Sequence, residues 1–356
     1  MLARIALDCD ALLEEGADSE VQYELHERLL WTLERYGVLV TARDEHLLGT
    51  IRHLSGRGLR ELWANRLPAL RPHVINDHAA ACLCQVEDYE RLCSEWRGKA
   101  ELALITADRA RRLQSSRATG SNDCVELERL DLFSKARTLR NIVELAESPI
   151  VKGEQRADVW RKRFYPLAMH TDKIVICDRY AGTRLHEHYF KRRPWESGLR
   201  WFLKELSQCS TSDVHIITGP LESYMPDPQD SKKRLRIFTA VEIEGAVRRL
   251  AKELPGAGVR DLKLTIAPNG AFRDESHDRH LQFNRDANRI SIWVGRGLEV
   301  FEQEQQGQGT ACQYIPKGVA DTIKGDLLRR ATKNMEGQVK SGVRPWPVET
   351  QITAAS

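Results

Sequence analysis

Short apolar runs alternate along this chain with longer stretches whose apolar side chains recur at helical spacing. Ile5, Ala6 and Leu7 form an apolar run ending in Asp8-Cys9-Asp10; residues 20–36 then follow a helical period, which Gly37 closes. Val38-Leu39-Val40-Thr41 predicts a second strand, and a helix follows over 44–54 with Asp44 as its N-terminal acid. Leu102-Ala103-Leu104-Ile105-Thr106 predicts a buried strand terminated by Ala107-Asp108. Strand, helix and strand in this order predict a parallel sheet with helical crossovers. Residues 130–147 read as helix, and Pro149 and Gly153 then interrupt the periodicity, which places a linker at 148–154 between domains 1–147 and 155–340. Beyond it, 156–169 predicts an amphipathic helix with Trp160, Phe164 and Leu167 on one side. Apolar runs at 174–177 and 214–218 and alternation through 280–294 complete a second α/β domain. The tail 344–356 has two prolines and little periodicity.

Composition narrows the class without naming a function. The chain has 356 residues, enough for two ordinary cores, and is 41% hydrophobic and 29% charged, as expected of a soluble globular protein. No segment approaches the ~20 consecutive apolar residues of a membrane span, and the N-terminus runs straight into a strand, so neither secretion nor a membrane span is expected. With 54 basic and 51 acidic residues the net charge is +3, so any contact with nucleic acid must come from local patches. The eight cysteines, at 9, 82, 84, 93, 124, 177, 209 and 312, form no CxxC pair, and a reduced cytoplasmic setting is expected. Cys82 and Cys84 with His73 and His78 match no common zinc spacing and read as thiols.

Two places carry chemistry. Ligands gather at the carboxyl ends of parallel strands, where Asp8, Asp10 and Asp108 all fall. Clustered carboxylates repel one another unless a cation neutralises them, so a divalent metal is the physical expectation there; acidic loop ends of an ordinary Rossmann-like domain are the alternative. The second place is Ser276-His277-Asp278-Arg279-His280, followed by Gly295-Arg296-Gly297-Leu298. On a strand His277 and Arg279 share one face, so a nucleophile or acid and a fixed cationic fork can meet one phosphodiester. The same residues also suit a strand start with a surface salt bridge to Asp274 or Glu275.

Other features carry less. His186 and His188 share a strand face but not a helix face and have no third ligand. The basic runs Lys191-Arg192-Arg193 and Lys232-Lys233-Arg234, with Arg236, read as solvated loops or as a nucleic-acid footprint. Arg109, Arg111 and Arg112 suit either a grip on a nucleic-acid backbone or an exposed helix face.

The first domain resembles the PIN-domain ribonucleases over about residues 1–135. Leu7-Asp8-Cys9-Asp10-Ala11-Leu12-Leu13 is similar to that family's opening strand, with Asp10 in place of the usual Asn, and Ile105-Thr106-Ala107-Asp108-Arg109 is similar to its Thr-x-Asp strand end. The resemblance implies a glutamate early in a helix between these motifs, best matched by Glu45, and a fourth acid, matched by Asp123. It thereby implies catalysis by Asp8, Asp10, Glu45 and Asp108, with Mg²⁺ or Mn²⁺ held by Asp8, Asp10, Asp108 and Asp123.

Over about residues 155–330 the chain resembles the phospholipase-D-like C-terminal domain of microtubule-interacting-and-trafficking (MIT) proteins and their bacterial relatives. The resemblance rests on the His-Asp-Arg run, the Gly-Arg-Gly-Leu turn, the strand Ile174-Val175-Ile176-Cys177-Asp178-Arg179-Tyr180 and the strand Val214-His215-Ile216-Ile217-Thr218. It implies His277 as catalytic group and Arg279, Arg296 and Arg179 as phosphate-binding cations. Phospholipase-D-type enzymes carry His-x-Lys and a downstream Asp, whereas this chain has Arg279 and Asn284 at those places. One His-x-Arg element where related folds use two implies a homodimer.

Together the resemblances imply a metal-dependent nuclease with a phosphate- or nucleic-acid-binding second domain. They suggest an effector of a bacterial antiviral defence or toxin system, acting with defence-system partner proteins. The alternative is a noncatalytic adaptor or sensor that binds nucleic acid or anionic phospholipid headgroups.

Overall fold

The computed structural model describes residues 1–14, 19–41, 44–70, 72–74, 83–116, 124–191, 194–209, 212–226, 234–255, 258–272, 279–285, 288–302, 309–315, 317–340 and 350–352. The chain divides into two compact units, Met1–Leu145 with Asp286–Asn288, and Ala146–Arg285 with Arg289–Ser356. Both mix helices and strands, so the expected α/β class is met.

In the first unit β1 (Ala3–Leu7), β2 (Gly37–Thr41), β3 (Pro72–Val74), β4 (Leu102–Ile105) and β5 (Glu126–Arg129) pair entirely in parallel, in the order β3-β2-β1-β4-β5. Such strands must be covered on both faces. Ile5, Leu7, Leu39, Leu102 and Leu104 pack against Leu29 and Leu33 of α1 (Ser19–Tyr36), Leu47 and Ile51 of α2 (Asp44–His53) and Trp63 of α3 (Arg57–Arg66). Ala6, Val40, Ala103 and Ile105 face Leu92 and Trp96 of α4 (Tyr89–Trp96) and Leu113 of α5 (Ala107–Ser115). The stretch expected as one helix over 130–147 is a 3₁₀ segment, Leu130–Lys135, followed by α6 (Arg137–Glu147). The Glu126 carboxylate takes the N–H groups of Arg137 and Thr138 at the start of α6. Cys93 and Cys124 are joined in a disulfide with Cα atoms 5.6 Å apart. That bond corrects the expectation of reduced cysteines, because the fold brings Cys93 and Cys124, 31 residues apart in sequence, within bridging distance; Cys9 and Cys177 are buried thiols as expected.

In the second unit α7 (Arg156–Val159), a wide helical turn at Trp160–Phe164 and α8 (Tyr165–Ala168) follow one another along the expected amphipathic segment. Trp160, Phe164 and Leu167 are all buried. Next come β6 (Lys173–Cys177), α9 (Ala181–Phe190), α10 (Gly198–Ser207), β7 (Ser212–Thr218), β8 (Leu221–Pro226), β9 (Arg234–Thr239), α11 (Val241–Glu253) and β10 (Val259–Ile266). They are followed by β11 (His280–Arg285), β12 (Asn288–Val294), β13 (Cys312–Ile315), α12 (Lys317–Lys340) and β14 (Thr350–Ile352). The sheet runs β13-β12-β11-β6-β7-β10-β14, and β8 and β9 form a separate antiparallel pair. β6, β7 and β10 are parallel, while β11 and β14 run antiparallel to their neighbours β6 and β10. On one face Trp160, Phe164, Phe202 and Phe301 form an edge-packed aromatic cluster with Phe283 of β11. On the other, Leu327 and Ala331 of α12 cover Val175, Cys177 and Ile217. Residues 186 and 188 lie in helix α9, so the two imidazoles do not share a strand face.

Candidate functional site

Each unit ends its central strand in a buried aspartate, and each sets an arginine against it. Asp8, after β1, is fully buried, with its N–H on the Leu104 carbonyl and its side chain accepting from the Asp10 N–H at 3.1 Å. Thr106 caps α5, its hydroxyl taking the Arg109 N–H at 3.2 Å. That cap starts the helix so that Arg109 faces inward. Its guanidinium is ion-paired with Asp8, reaches the Cys84 carbonyl at 3.1 Å and touches the Asp10 carboxylate at 3.5 Å. Burial pushes the Arg109 pKa down, with the nearby Arg112 charge adding to the effect.

This arrangement differs from the expected cluster of acids. Asp108 is on the outer side of α5, its side chain 67% exposed and paired with Arg112 at 3.3 Å and Arg111 at 4.0 Å. Among the described residues the charge beside Asp8 is a guanidinium, and no group of three or more metal-ligating side chains assembles. As they stand, Asp8, Asp10 and Asp108 do not fit a shared cation, because Arg109 already supplies the positive charge. Glu45 lies in α2 with its side chain outside the described residues, and Asp123 is outside them altogether.

In the second unit Asp178 follows β6 and is buried, its two oxygens accepting from the N–H groups of Leu298 at 2.7 Å and Tyr180 at 2.9 Å. Burial pushes this carboxyl above the ordinary carboxylate range, while those two N–H donors and the Arg279 charge pull the other way. Gly297 makes the contact sterically feasible. It has φ +60, and a Cβ there would lie 2.1 Å from Asp178 Oδ2 and 3.1 Å from Arg279 Cδ. The Gly-Arg-Gly turn therefore lets the backbone close onto the aspartate.

Arg279 is set beside this carboxylate by the register, because the next residue, His280, pairs with Cys177, immediately before Asp178. Its guanidinium carbon is 4.9 Å from the Tyr180 ring centroid, and that of Arg179 is 5.1 Å from the same centroid. Tyr180 is thus a shared platform for two cations, each contact contributing ~0.5–1 kcal/mol. The Arg179 carbonyl accepts from the Gly219 N–H and the Thr218 hydroxyl, which fixes the backbone between the aspartate and the ring. No family model and no curated protein matches this chain.

Of the expected phosphate-binding residues, the structure brings Arg179 and Arg279 together. Arg296 is on the turn that closes over Asp178, but its guanidinium pairs with Glu299 at 3.1 Å, a carboxylate that Arg184 also reaches at 3.4 Å. His277 lies outside the described residues, as do Arg192, Arg193, Lys232 and Lys233 of the basic runs. Asp178 and Tyr180 lie in the strand motif that follows the Ile174–Cys177 run, where the resemblance implies a role for Arg179 alone. The signal for Asp178 was a carboxylate directly after a fully apolar run, the same pattern that singled out Asp8.

Proposed function

We propose that this chain acts on nucleic acid and that its second unit holds a backbone phosphate at Arg179 and Arg279. The observation that carries the reading is the seating of both guanidiniums on the Tyr180 ring beside buried Asp178. Guanidiniums held in place lose little entropy on meeting a phosphate, and each offers a planar fork of donors matched to its oxygens. The resemblance to the phospholipase-D-like domain supports the same placement and adds His277 and Arg296, with a second copy of the chain supplying the second His-x-Arg element. In this reading the domain binds without cleaving, because an arginine at the lysine position stays charged and shares poorly in proton transfer.

A second reading has the first unit hydrolyse the bound strand with Mg²⁺ or Mn²⁺, the chain being a cytoplasmic effector of a bacterial antiviral defence or toxin system. Its support is the location of Asp8 and Asp10 at the carboxyl end of the central parallel strand. Against it stands Arg109, which must leave Asp8 before a cation can use that carboxylate. Incubation of the full chain with labelled RNA, single-stranded DNA and duplex DNA, with Mg²⁺, Mn²⁺ or EDTA, separates the two. Binding without cleavage supports the adaptor reading, and metal-dependent cleavage lost in Asp8→Asn supports the nuclease. Failure to bind any of the three polymers would overturn both.

A further inference from the structure

The Cys93–Cys124 disulfide stands beside an open cavity of about 340 Å³ at the amino ends of β1, β4 and β5, the opposite end of the first sheet from Asp8. Cys124 lines that cavity and Cys93 does not. The rest of the wall is charged and held in place. Arg4 of β1 is ion-paired with Glu101, its Nε donating to the carboxylate at 2.9 Å. The Glu126 carboxylate accepts from the Arg137 N–H at 2.6 Å and the Thr138 N–H at 2.7 Å, and the Glu126 N–H donates to the Glu101 carbonyl at 3.0 Å. These contacts fix a preformed recess whose wall carries two guanidiniums and two carboxylates, so it presents both signs of charge to a small molecule.

The state of the bond bears on the rest of the first unit. It closes a loop that contains β4, the Thr106 cap and all of α5, and so the segment that seats Arg109 on Asp8. The other cysteine is on α4, which is tied to the same segment. The Tyr89 N–H at the start of α4 donates to the Ser116 hydroxyl at 3.0 Å, and the Cys84 carbonyl, shortly before α4, accepts from Arg109 at 3.1 Å. Opening the bond leaves α4 held by its packing and by such hydrogen bonds. Exchange requires a thiolate to reach one of the two sulfurs, so the cysteine that lines the recess is the one a dissolved thiol attacks. Where small thiols are abundant, a disulfide that they reach is reversible.

We infer that Cys124 is a thiol-exchange site, and that the recess beside it admits a small peptide thiol carrying both charges. The entering thiolate sulfur bonds to Cys124 Sγ, the bond between the two cysteine sulfurs breaks, and Cys93 leaves with the electron pair and takes a proton from water. A second thiol then displaces Cys124 from the mixed disulfide. Two small thiols are thereby oxidised to their disulfide as the protein bond is reduced, and the oxidised form of the thiol runs the sequence backwards. Glutathione is the probe, used with the full chain. With oxidised glutathione, transfer of the glutathionyl group to Cys124 in Cys93→Ser should be faster than transfer to Cys93 in Cys124→Ser by roughly tenfold or more. In the wild type, which needs no variant to fold, reduced glutathione followed by rapid alkylation and peptide mass mapping should place the adduct on Cys124. Neutral 2-mercaptoethanol at equal thiolate concentration should open the bond more slowly, because the charged wall gives it nothing to bind. Reduction should also lower the melting temperature of the wild type and leave that of Cys93→Ser, which has no bond to lose, unchanged. Equal transfer to the two cysteines, or an adduct found on Cys93 alone, would overturn the assignment, as would free alkylation of both cysteines after treatment with oxidised glutathione. Opening by 2-mercaptoethanol as fast as by glutathione would overturn the recess as the point of entry.

Discussion

Replacing Gly297 by alanine probes the contact on which the second-unit site rests. Two costs arise, and a second glycine separates them. At φ +60 a Cβ carries the left-handed penalty of ~1 kcal/mol. It would also lie 2.1 Å from Asp178 Oδ2 and 2.7 Å from its Cγ, so the carboxylate must withdraw. Withdrawal breaks the 2.7 Å bond from the Leu298 N–H, a charge-assisted hydrogen bond contributing about 1.5–3 kcal/mol. Gly297→Ala should therefore cost ~2.5–4 kcal/mol. Gly153, in the same unit, has φ +91 with no atom within 4 Å of the would-be Cβ, so Gly153→Ala should cost only ~1 kcal/mol. Urea unfolding followed by tryptophan fluorescence reports on both through Trp160 and Trp201 of that unit. Equal losses in the two variants, within ~0.5 kcal/mol, would refute the close approach of Gly297 to Asp178.

Asp8→Asn discriminates between a cluster of repelling acids and the observed ion pair: the former predicts an unchanged or raised melting temperature, whereas stranding buried Arg109 should cost ~3 kcal/mol or more. Asp108→Asn, on an exposed pair, should move stability by no more than ~0.5 kcal/mol in the same melting experiment. His26 accepts from the Trp63 indole N–H at 2.9 Å, and burial lowers its pKa to about 4, as that of His215 is lowered to about 3. Both folded values lie below the ordinary imidazole value of 6.5, so the unfolded chain takes up protons first as pH falls. The stability these groups contribute is complete above that value and is lost towards their folded pKa values, at about 1.4 kcal/mol per pH unit for each. His26→Gln should flatten the pH dependence of the urea midpoint between pH 6 and pH 4.5 by about that slope, and an unchanged slope would contradict the assignment.

The elements that sequence made legible are those whose burial is local and periodic. β1, β2, β4, β6 and β7 are apolar runs because helices cover both faces of their sheets, and α1 shows its period because one side is solvent-exposed. The pairing of β8 with β9 was not visible, since the basic run at its turn end, Lys232-Lys233-Arg234 with Arg236, reads as a solvated loop or a nucleic-acid footprint. The site was legible in composition but not in direction. Asp8 and Asp108 both sit at strand ends, yet the Thr106 cap starts α5 one residue before Asp108, and the helical turn then sends Asp108 outward and Arg109 inward. A difference of one residue in helical phase exchanges an acid for a base beside Asp8. In the second unit the arginines were visible as a motif, whereas Tyr180 as their common platform depends on the antiparallel register of β11 against β6, which no local pattern encodes.

The central claim is that Arg179 and Arg279 form one phosphate-binding site on Tyr180. Its most direct test is the salt dependence of binding of a labelled single-stranded oligonucleotide to the wild type, Arg279→Ala, Arg179→Ala and the double variant. Each single variant should lose ~1–3 kcal/mol of affinity and show a shallower dependence on salt, by about 0.7 in log–log slope for one phosphate contact, and the two losses should fall short of additive in the double variant. Wild-type affinity and salt slope in all three variants would contradict the claim and leave the two arginines as surface cations stacked on a tyrosine.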